Sequence, residues 1–315
     1  MMDTRGVRSA ILMAIVVASL AGACSCDPQV PPTWPSAAAH AAQSASDARI
    51  VVLDISSGHL LAASHLAEAA RTLAAPGSTL KPLVLYGLVA SGRWDQSRRI
   101  ACTLKLRIAG RSLNCSHPPA DPMDARQALT WSCNTYFAAL AGALAPGQLR
   151  ALLAPTGLLS QTGLAPAEAI AVFHDPQTPD ATRLALLGVD GVLVTPLELA
   201  TAYRWLAVRL AAPHPEGTGR PPASAAAQVV RDGLQDSASF GMAGAASLGG
   251  VPIAGKTGTA SPASGGQSHG WFVGLAPSDA PHAIIVVYLP AGHGADAARV
   301  AADLLAHCPL RQPQP

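Results

Sequence analysis

A serine and a lysine three residues apart, Ser78 and Lys81, stand at the head of an apolar run. In a helix, positions i and i+3 share a face, so this hydroxyl and this amine would be neighbours. Such a pair can act as a nucleophile with its base, provided the amine is neutral. The competing structural use is an N-cap serine followed by a surface lysine. Lysine is scarce here: among 21 basic residues only Lys81, Lys105 and Lys256 are not arginine. Arginine supplies surface charge but keeps its proton, whereas a desolvated lysine can release one. Two further short motifs follow, Ser132-Cys133-Asn134 and Lys256-Thr257-Gly258. Singly they are weak, since Ser112-Leu113-Asn114 repeats the Ser-x-Asn form. Ser78-x-x-Lys81, however, is the only Ser-x-x-Lys in the chain, and Lys-Thr-Gly is the most selective of the three.

Pro82 fixes where Ser78 must sit. It lacks an N–H and crowds the preceding turn, so the helix carrying Leu83, Val84, Leu85, Leu88 and Val89 begins close to Ser78. That places the hydroxyl at the N–H-rich, positive end. The helix is apolar nearly all round, hence buried, and Gly92 stops it. Upstream, Arg49 to Asp54 reads as a strand, Ser56-Ser57-Gly58 as a turn and His59 to Ala63 as the hairpin partner. A short helical stretch runs from His65 to Leu73. Downstream come a hairpin around Ala109-Gly110 and a helical region, Ala125 to Ala145, interrupted at Trp131 to Asn134. Helices are expected from Gly147 to Leu153 and from Thr195 to Leu210, with loops at Pro176–Pro179 and Pro213–Pro222. The last third is strand-like at Val251 to Thr259, Gly270 to Leu275 and Ala283 to Leu289, and ends in an apolar-striped helix, Ala295 to His307. This order predicts an α/β (α+β) fold, one sheet with helices on both faces. The helical middle, from about residue 90 to 195, would form an inserted lobe of its own.

Composition narrows the function classes. Half the 315 residues are hydrophobic and 13% are charged, so a large core is available. A net charge of +2 without a basic block gives no reason to expect nucleic acid. Arg5 and Arg8 precede an apolar run, Ala10 to Ala23, of the length of an export-signal core. The signal is read as residues 1–23, followed by a Pro/Ala/Ser-rich tether over 24–48 and a single domain over 49–311. Cleavage after Ala23 would leave Cys24 first, which also resembles a bacterial lipoprotein site, with Cys26 as a second candidate. Export implies an oxidising compartment, where Cys102 and Cys115, flanking the hairpin, could form a disulfide. A zinc site is not the expectation there, because no second cysteine or histidine pair stands at ligand spacing. No metal and no cofactor is expected.

Taken together, the three motifs and their order resemble the active-site serine penicillin-recognising enzymes. Pro76 to Pro82 resembles the serine motif of penicillin-binding protein transpeptidases, and so does Ala128 to Phe137 around the second motif. Val194 to Ala200 looks like the helix such proteins carry before the last motif. Ala254 to Ala260 and His269 to Gly274 look like their active-site strand and its neighbour. The resemblance runs from Arg49 to His307 and implies an antiparallel sheet flanked by helices, with the site in a cleft beside a helical lobe. It implies that Ser78 attacks a D-alanyl-D-alanine peptide or a β-lactam, with Lys81 as base, its pKa lowered by burial and by the charge of Lys256. Ser132 would relay a proton, and Asn134 would bond the substrate amide. Lys256, Thr257 and Thr259 would bind the terminal carboxylate. The backbone N–H groups of Ser78 and Thr259 would form the oxyanion hole, and Gly258 would let substrate lie along the strand.

The resemblance implies a D,D-transpeptidase or carboxypeptidase, and with the export signal it would lie in the periplasm or on the extracytoplasmic face of the membrane, with stem peptides and β-lactams as ligands. A separate glycosyltransferase would be its partner, and the membrane could be reached through a lipid anchor. The alternatives are a serine β-lactamase and a β-lactam sensor without turnover. One lactamase family deacylates with a glutamate followed four residues later by asparagine. Glu168 lies at a suggestive distance beyond Ser132, but Val172 stands where that asparagine would be.

Overall fold

In the computed structural model, residues 31–211, 222–262 and 265–311 are described. The export signal with Cys24 and Cys26, and most of the Pro213–Pro222 loop, lie outside them. Five strands form the central sheet: β1 (Arg49–Asp54), β2 (Leu60–Ser64), β3 (Ala254–Ala260), β4 (His269–Ala276) and β5 (Ala283–Leu289). Their order is β2-β1-β5-β4-β3, every pairing antiparallel. The N-terminal hairpin therefore caps one end, and β3, which carries Lys256-Thr257-Gly258, is the opposite edge. Side chains alternate across the pleat. Val51, Leu53, Val273, Leu275, Ile284 and Val286 face one core, and Ile50, Val52, Phe272, Ile285 and Val287 face the other.

The helices that position the site are, in chain order, α1 (Trp34–Ser44), α2 (Lys81–Ala90), α3 (Ala125–Thr130), α4 (Asn134–Ala139), α5 (Pro196–Leu210), α6 (Pro222–Ser239) and α7 (Gly294–Ala306). α1 and α7 pack on one face of the sheet, and α2 and α5 belong to the core on the other. Apolar side chains of α3, α4 and α6 merge with that second core.

Two elements depart from the sequence reading. The stretch before Arg49 is not all tether: Trp34–Ser44 is helical, capped by a reciprocal Thr33–Ser36 box, with Ala37, Ala38 and Ala41 buried against α7. Alanine has the best helix propensity and its small side chain permits close approach, so a segment poor in large apolar residues still docks. α6 was not anticipated, because half of its buried stripe of Ala226, Ala227, Val230 and Leu234 is alanine. The 109–110 hairpin forms as expected, Arg107–Ile108 pairing with Arg111–Ser112. Thr195 caps α5 in a box with Glu198.

Candidate active site

Ser78 sits in a tight 3-10 turn, Gly77–Leu80, that runs directly into α2. Gly77 has φ +55°, and a Cβ there would lie 2.8 Å from the Thr259 carbonyl oxygen. Only glycine accepts both the backbone angle and the contact with β3. The turn is held on all sides. Its Gly77 N–H donates to Gly188 O at 2.8 Å. Ala75 O accepts from Trp271 Nε1 and His269 Nε2, both at 2.9 Å. The fully buried Tyr203 hydroxyl donates to Thr79 O at 2.8 Å. None of these supports was assigned a role from the sequence. Tyr203 lies 124 residues from its partner, a separation at which no local pattern operates.

The second motif begins where α3 ends. Ser132 has φ +55°, a left-handed conformation that costs a side-chain-bearing residue about 1–3 kcal/mol. Its position is fixed by bonds to both lysines. Lys81 Nζ donates to Ser132 O at 2.7 Å and to Asn134 Oδ1 at 2.7 Å, and lies 3.2 Å from Ser132 Oγ. Lys256 Nζ lies 2.8 Å from the same Oγ and donates to Thr257 O at 2.9 Å. One hydroxyl thus bridges two amines, each with no exposed surface.

That burial sets their protonation. Desolvation disfavours an ammonium, and it brings Lys81 down to about 7 although the Cys133, Cys115 and Cys102 thiols oppose the shift. Lys256 is held well below its ordinary value, by burial first and by the charge of Lys81 second. Burial, rather than the charge of Lys256, is what lowers Lys81. With Lys81 neutral, its two N–H groups satisfy Ser132 O and Asn134 Oδ1, and its lone pair can accept the Ser132 hydroxyl proton. This is a short wire for protons.

A cleft of about 400 Å³ is lined by Ser78, Ser132, Asn134, Thr257, Gly258 and Thr259 among others, so the three motifs meet around one space. Both lysines stand behind its wall. The Ser78 hydroxyl makes no hydrogen bond among the described residues; Lys81 is engaged with Ser132 and Asn134 instead.

Two residues carry packing or positioning contacts that the motifs alone did not show. Asn134 Nδ2 donates to Leu113 O at 3.0 Å and Asn114 O at 3.3 Å, and Oδ1 accepts from Lys81. Its amide thus positions the lysine and the 113–114 loop while it also lines the cleft. A Cβ at Gly258 would fall 2.7 Å from Pro76 O and 2.9 Å from Thr79 Cγ2. Packing of the serine turn on β3 by itself requires this glycine, which also lines the cleft. Thr259 keeps its expected accessibility: its side chain is exposed, and Oγ1 accepts from Gly294 N–H at 2.9 Å, leaving the O–H able to donate. Thr257 donates to Met242 O at 3.3 Å.

Glu168 is not a member of the site. Its carboxylate accepts from the N–H groups of Thr162, Gly163, Leu164 and Ala165 and from the Thr162 hydroxyl, closing its own loop. Cys102 and Cys115, which could form a disulfide, stand here as thiols with sulfurs 3.3 Å apart, and a third thiol, Cys133, lies 3.9 Å from Cys115.

Comparison with known proteins agrees with this geometry. Residues 48–306 match the family model described as the penicillin binding protein transpeptidase domain. The chain belongs to that family. Its fold is similar to that of Pseudomonas aeruginosa PBP2 crystallised with WCK 5153, at 22% identity and a TM-score of 0.69 over 86% of this chain and 75% of that one. It is also similar to the transpeptidase domain of Burkholderia pseudomallei penicillin-binding protein 3, at 18% identity and a TM-score of 0.73, covering 88% and 95% of the two chains. A Burkholderia ambifaria peptidoglycan glycosyltransferase structure gives 18% and 0.72, over 86% of this chain and 92% of that one. A search of curated proteins gives no match. At these identities the structures support the fold, and the family model supports the membership.

Proposed function

We propose that the protein is a peptidoglycan D,D-transpeptidase acting through a serine acyl-enzyme on D-alanyl-D-alanine stem peptides, and that β-lactams acylate the same serine. The observation that carries this reading is the Lys81–Ser132–Lys256 wire, two buried amines sharing one hydroxyl beside the cleft that Ser78 lines. Ser78 Oγ attacks the penultimate D-alanine carbonyl and its proton passes to Lys81 Nζ. The tetrahedral intermediate is held by the Ser78 and Thr259 N–H groups. The C–N bond then breaks as Ser132 hands its proton to the departing amine and takes from Lys81 the proton that Ser78 gave up, which leaves Lys81 neutral again. The substrate carboxylate meets Thr257 and Thr259, and its charge raises the proton affinity of Lys256 behind them. Lys81 turns from Ser132 toward Ser78 only when substrate is bound, a tightening common in such sites. An amine acceptor or water completes the cycle, as transpeptidase or carboxypeptidase. Both activities belong on the extracytoplasmic side, where stem peptides are cross-linked.

A fluorescent penicillin followed by intact mass, with Ser78→Ala alongside, tests the reading. A long-lived adduct on wild type alone supports it. Rapid loss of the adduct would instead indicate a β-lactamase, a reading disfavoured by the commitment of Glu168 to its own loop. No adduct on folded protein refutes both. D-Alanine release from a pentapeptide donor, with and without an added amine, separates transfer from hydrolysis.

A further inference from the structure

Beside the serine site lies a second cluster that the proposed chemistry does not use. The sulfurs of Cys102, Cys115 and Cys133 and a ring nitrogen of His117 all lie within 4.8 Å of one another. In a tetrahedral zinc site with Zn–S bonds of about 2.3 Å, neighbouring sulfurs are about 3.8 Å apart. The pairs here, 3.3 Å for Cys102–Cys115 and 3.9 Å for Cys115–Cys133, bracket that value.

His117 supplies the independent observation. It is buried at 5% exposure, and Nδ1 lies 2.7 Å from Pro118 O, so the ring proton sits on Nδ1 and donates to that carbonyl. Nε2 is left with an exposed lone pair but no solvent and no hydrogen-bond partner. Burying such an acceptor unpaired is costly. A backbone carbonyl fixing one imidazole nitrogen, the other left unpaired, in a ring beside a cluster of thiols, is the arrangement of a metal ligand and its support. Two of the sulfurs also accept backbone N–H groups, Cys102 from Leu104 at 3.3 Å and Cys115 from Asn134 at 3.2 Å, as thiolate ligands do. A Cys102–Cys115 disulfide would use two of the thiols and leave Cys133 and the orphaned His117 nitrogen unexplained.

We propose that Cys102, Cys115, His117 and Cys133 form a closed, four-ligand structural zinc site that fastens the 102–117 loop to the turn carrying Ser132 and Asn134. Binding releases the three thiol protons to solvent and forms three Zn–S bonds and one Zn–N bond, with no redox step. Four protein ligands leave no open position, so the ion positions residues and takes no part in the acyl transfer. The coupling to the serine site is covalent, because Cys133 is the residue between Ser132 and Asn134. The loop needs such a fastening: its regular structure is limited to the two short strands Arg107–Ile108 and Arg111–Ser112.

The test is metal content and a cobalt spectrum, neither of which depends on the transpeptidase reading. The protein with residues 24–315, purified under reducing conditions, should carry about one zinc per chain. Cobalt exchanged into it should give the intense visible and thiolate charge-transfer bands of a tetrahedral, sulfur-rich site. Cys102→Ser and His117→Ala should lose most of the zinc and alter the bands. Stripping wild type with a chelator should lower its melting temperature and slow fluorescent-penicillin labelling, and zinc should restore both. Zinc at well below one equivalent after reconstitution, or a pale octahedral cobalt spectrum, would overturn the proposal without recourse to any variant. So would a Cys102–Cys115 disulfide that persists under mild reduction, or full zinc binding by folded His117→Ala.

Discussion

The protonation of Lys81 can be tested through the pH dependence of acylation. Burial takes this amine from 10.5 to about 7, a drop of about 3.5 units. At pH 7 roughly half the molecules then hold a neutral amine, against about one in 3,000 for an ordinary lysine. The structure thus supplies roughly three orders of magnitude in competent base before any chemistry occurs. The second-order rate of fluorescent-penicillin acylation, measured by stopped flow between pH 5 and 9, should rise about tenfold per unit below 7 and level off above it. From pH 8 down to pH 5 the neutral fraction falls from about 0.9 to about 0.01, so the rate should fall about 90-fold. Lys81→Arg, which keeps charge but cannot release its proton, should stay folded and acylate at least 10²-fold more slowly across the range.

Stability supplies the complementary test. Between about 7 and 10.5 the unfolded chain binds a proton at Lys81 that the folded chain does not, so folding stability rises with pH across that window. The cost of burying the amine is fully present below pH 7, at about 5 kcal/mol, and is relieved as pH approaches 10.5. In Lys81→Met that increment should vanish, so the denaturant midpoints of the two proteins should converge or cross as pH rises from 7 to 9. A rate that is flat from pH 5 to 9, or a Lys81→Arg protein that acylates like wild type, would refute the neutral-base reasoning.

Other perturbations separate chemistry from support. Ser132→Ala deletes the hydroxyl shared by Lys81 and Lys256 and should cut the acylation rate about 10²–10⁴-fold with little change in melting temperature. Tyr203→Phe leaves the buried Thr79 carbonyl without its donor, which should cost about 1–3 kcal/mol in urea unfolding and slow acylation less than Ser132→Ala does. Gly258→Ala forces a methyl to within 2.7 Å of Pro76 O, and should displace the serine turn, destabilise by about 1–3 kcal/mol and lower acylation, with circular dichroism near wild type.

What the sequence revealed and what it hid divide along physical lines. Ser78 and Lys81 were legible because Pro82 pins the helix start, and the strands of the last third because β-branched runs are bounded by Gly and Pro. α5 was read from Thr195 to Leu210, and the structure adds the Thr195–Glu198 box that caps it. α1 and α6 were hidden because alanine marks a helix weakly to the eye while packing closely in the fold. The thiol cluster was hidden for another reason: Cys102, Cys115 and Cys133 are 13 and 18 residues apart, and an irregular loop brings them together. Asn134 and Gly258 were found, but the bond of Asn134 to Lys81 and the packing of Gly258 on the serine turn were not, because a motif gives a residue type and only packing shows what that residue touches.

The unanticipated helix explains how the site is assembled. Burial can hold two lysines below their ordinary values only if water is excluded behind both the Ser132 turn and β3, whose Ser132 and Lys256 are 124 residues apart in the chain. α6 packs against α2, α3 and β3, with Gly233 so close to Leu129 that a Cβ would lie 2.9 Å away. Arg126 on α3 pairs with Asp232 and Asp236 on α6, which orients the two helices from the outside. The segment after α6 completes the seal. Met242 N–H donates to Thr130 O at 3.2 Å, and Met242 O accepts from Thr257 Oγ1 at 3.3 Å. One residue therefore ties the end of α3, two positions before Ser132, to the strand position next to Lys256. Without that tie the shared hydroxyl would separate from one of its amines, water would enter, and the desolvation that lowers both lysines would be relieved. The depressed pKa of Lys81 thus depends on elements that lie far from it in sequence, and the Ser-x-x-Lys motif gains its chemistry only when they close around it.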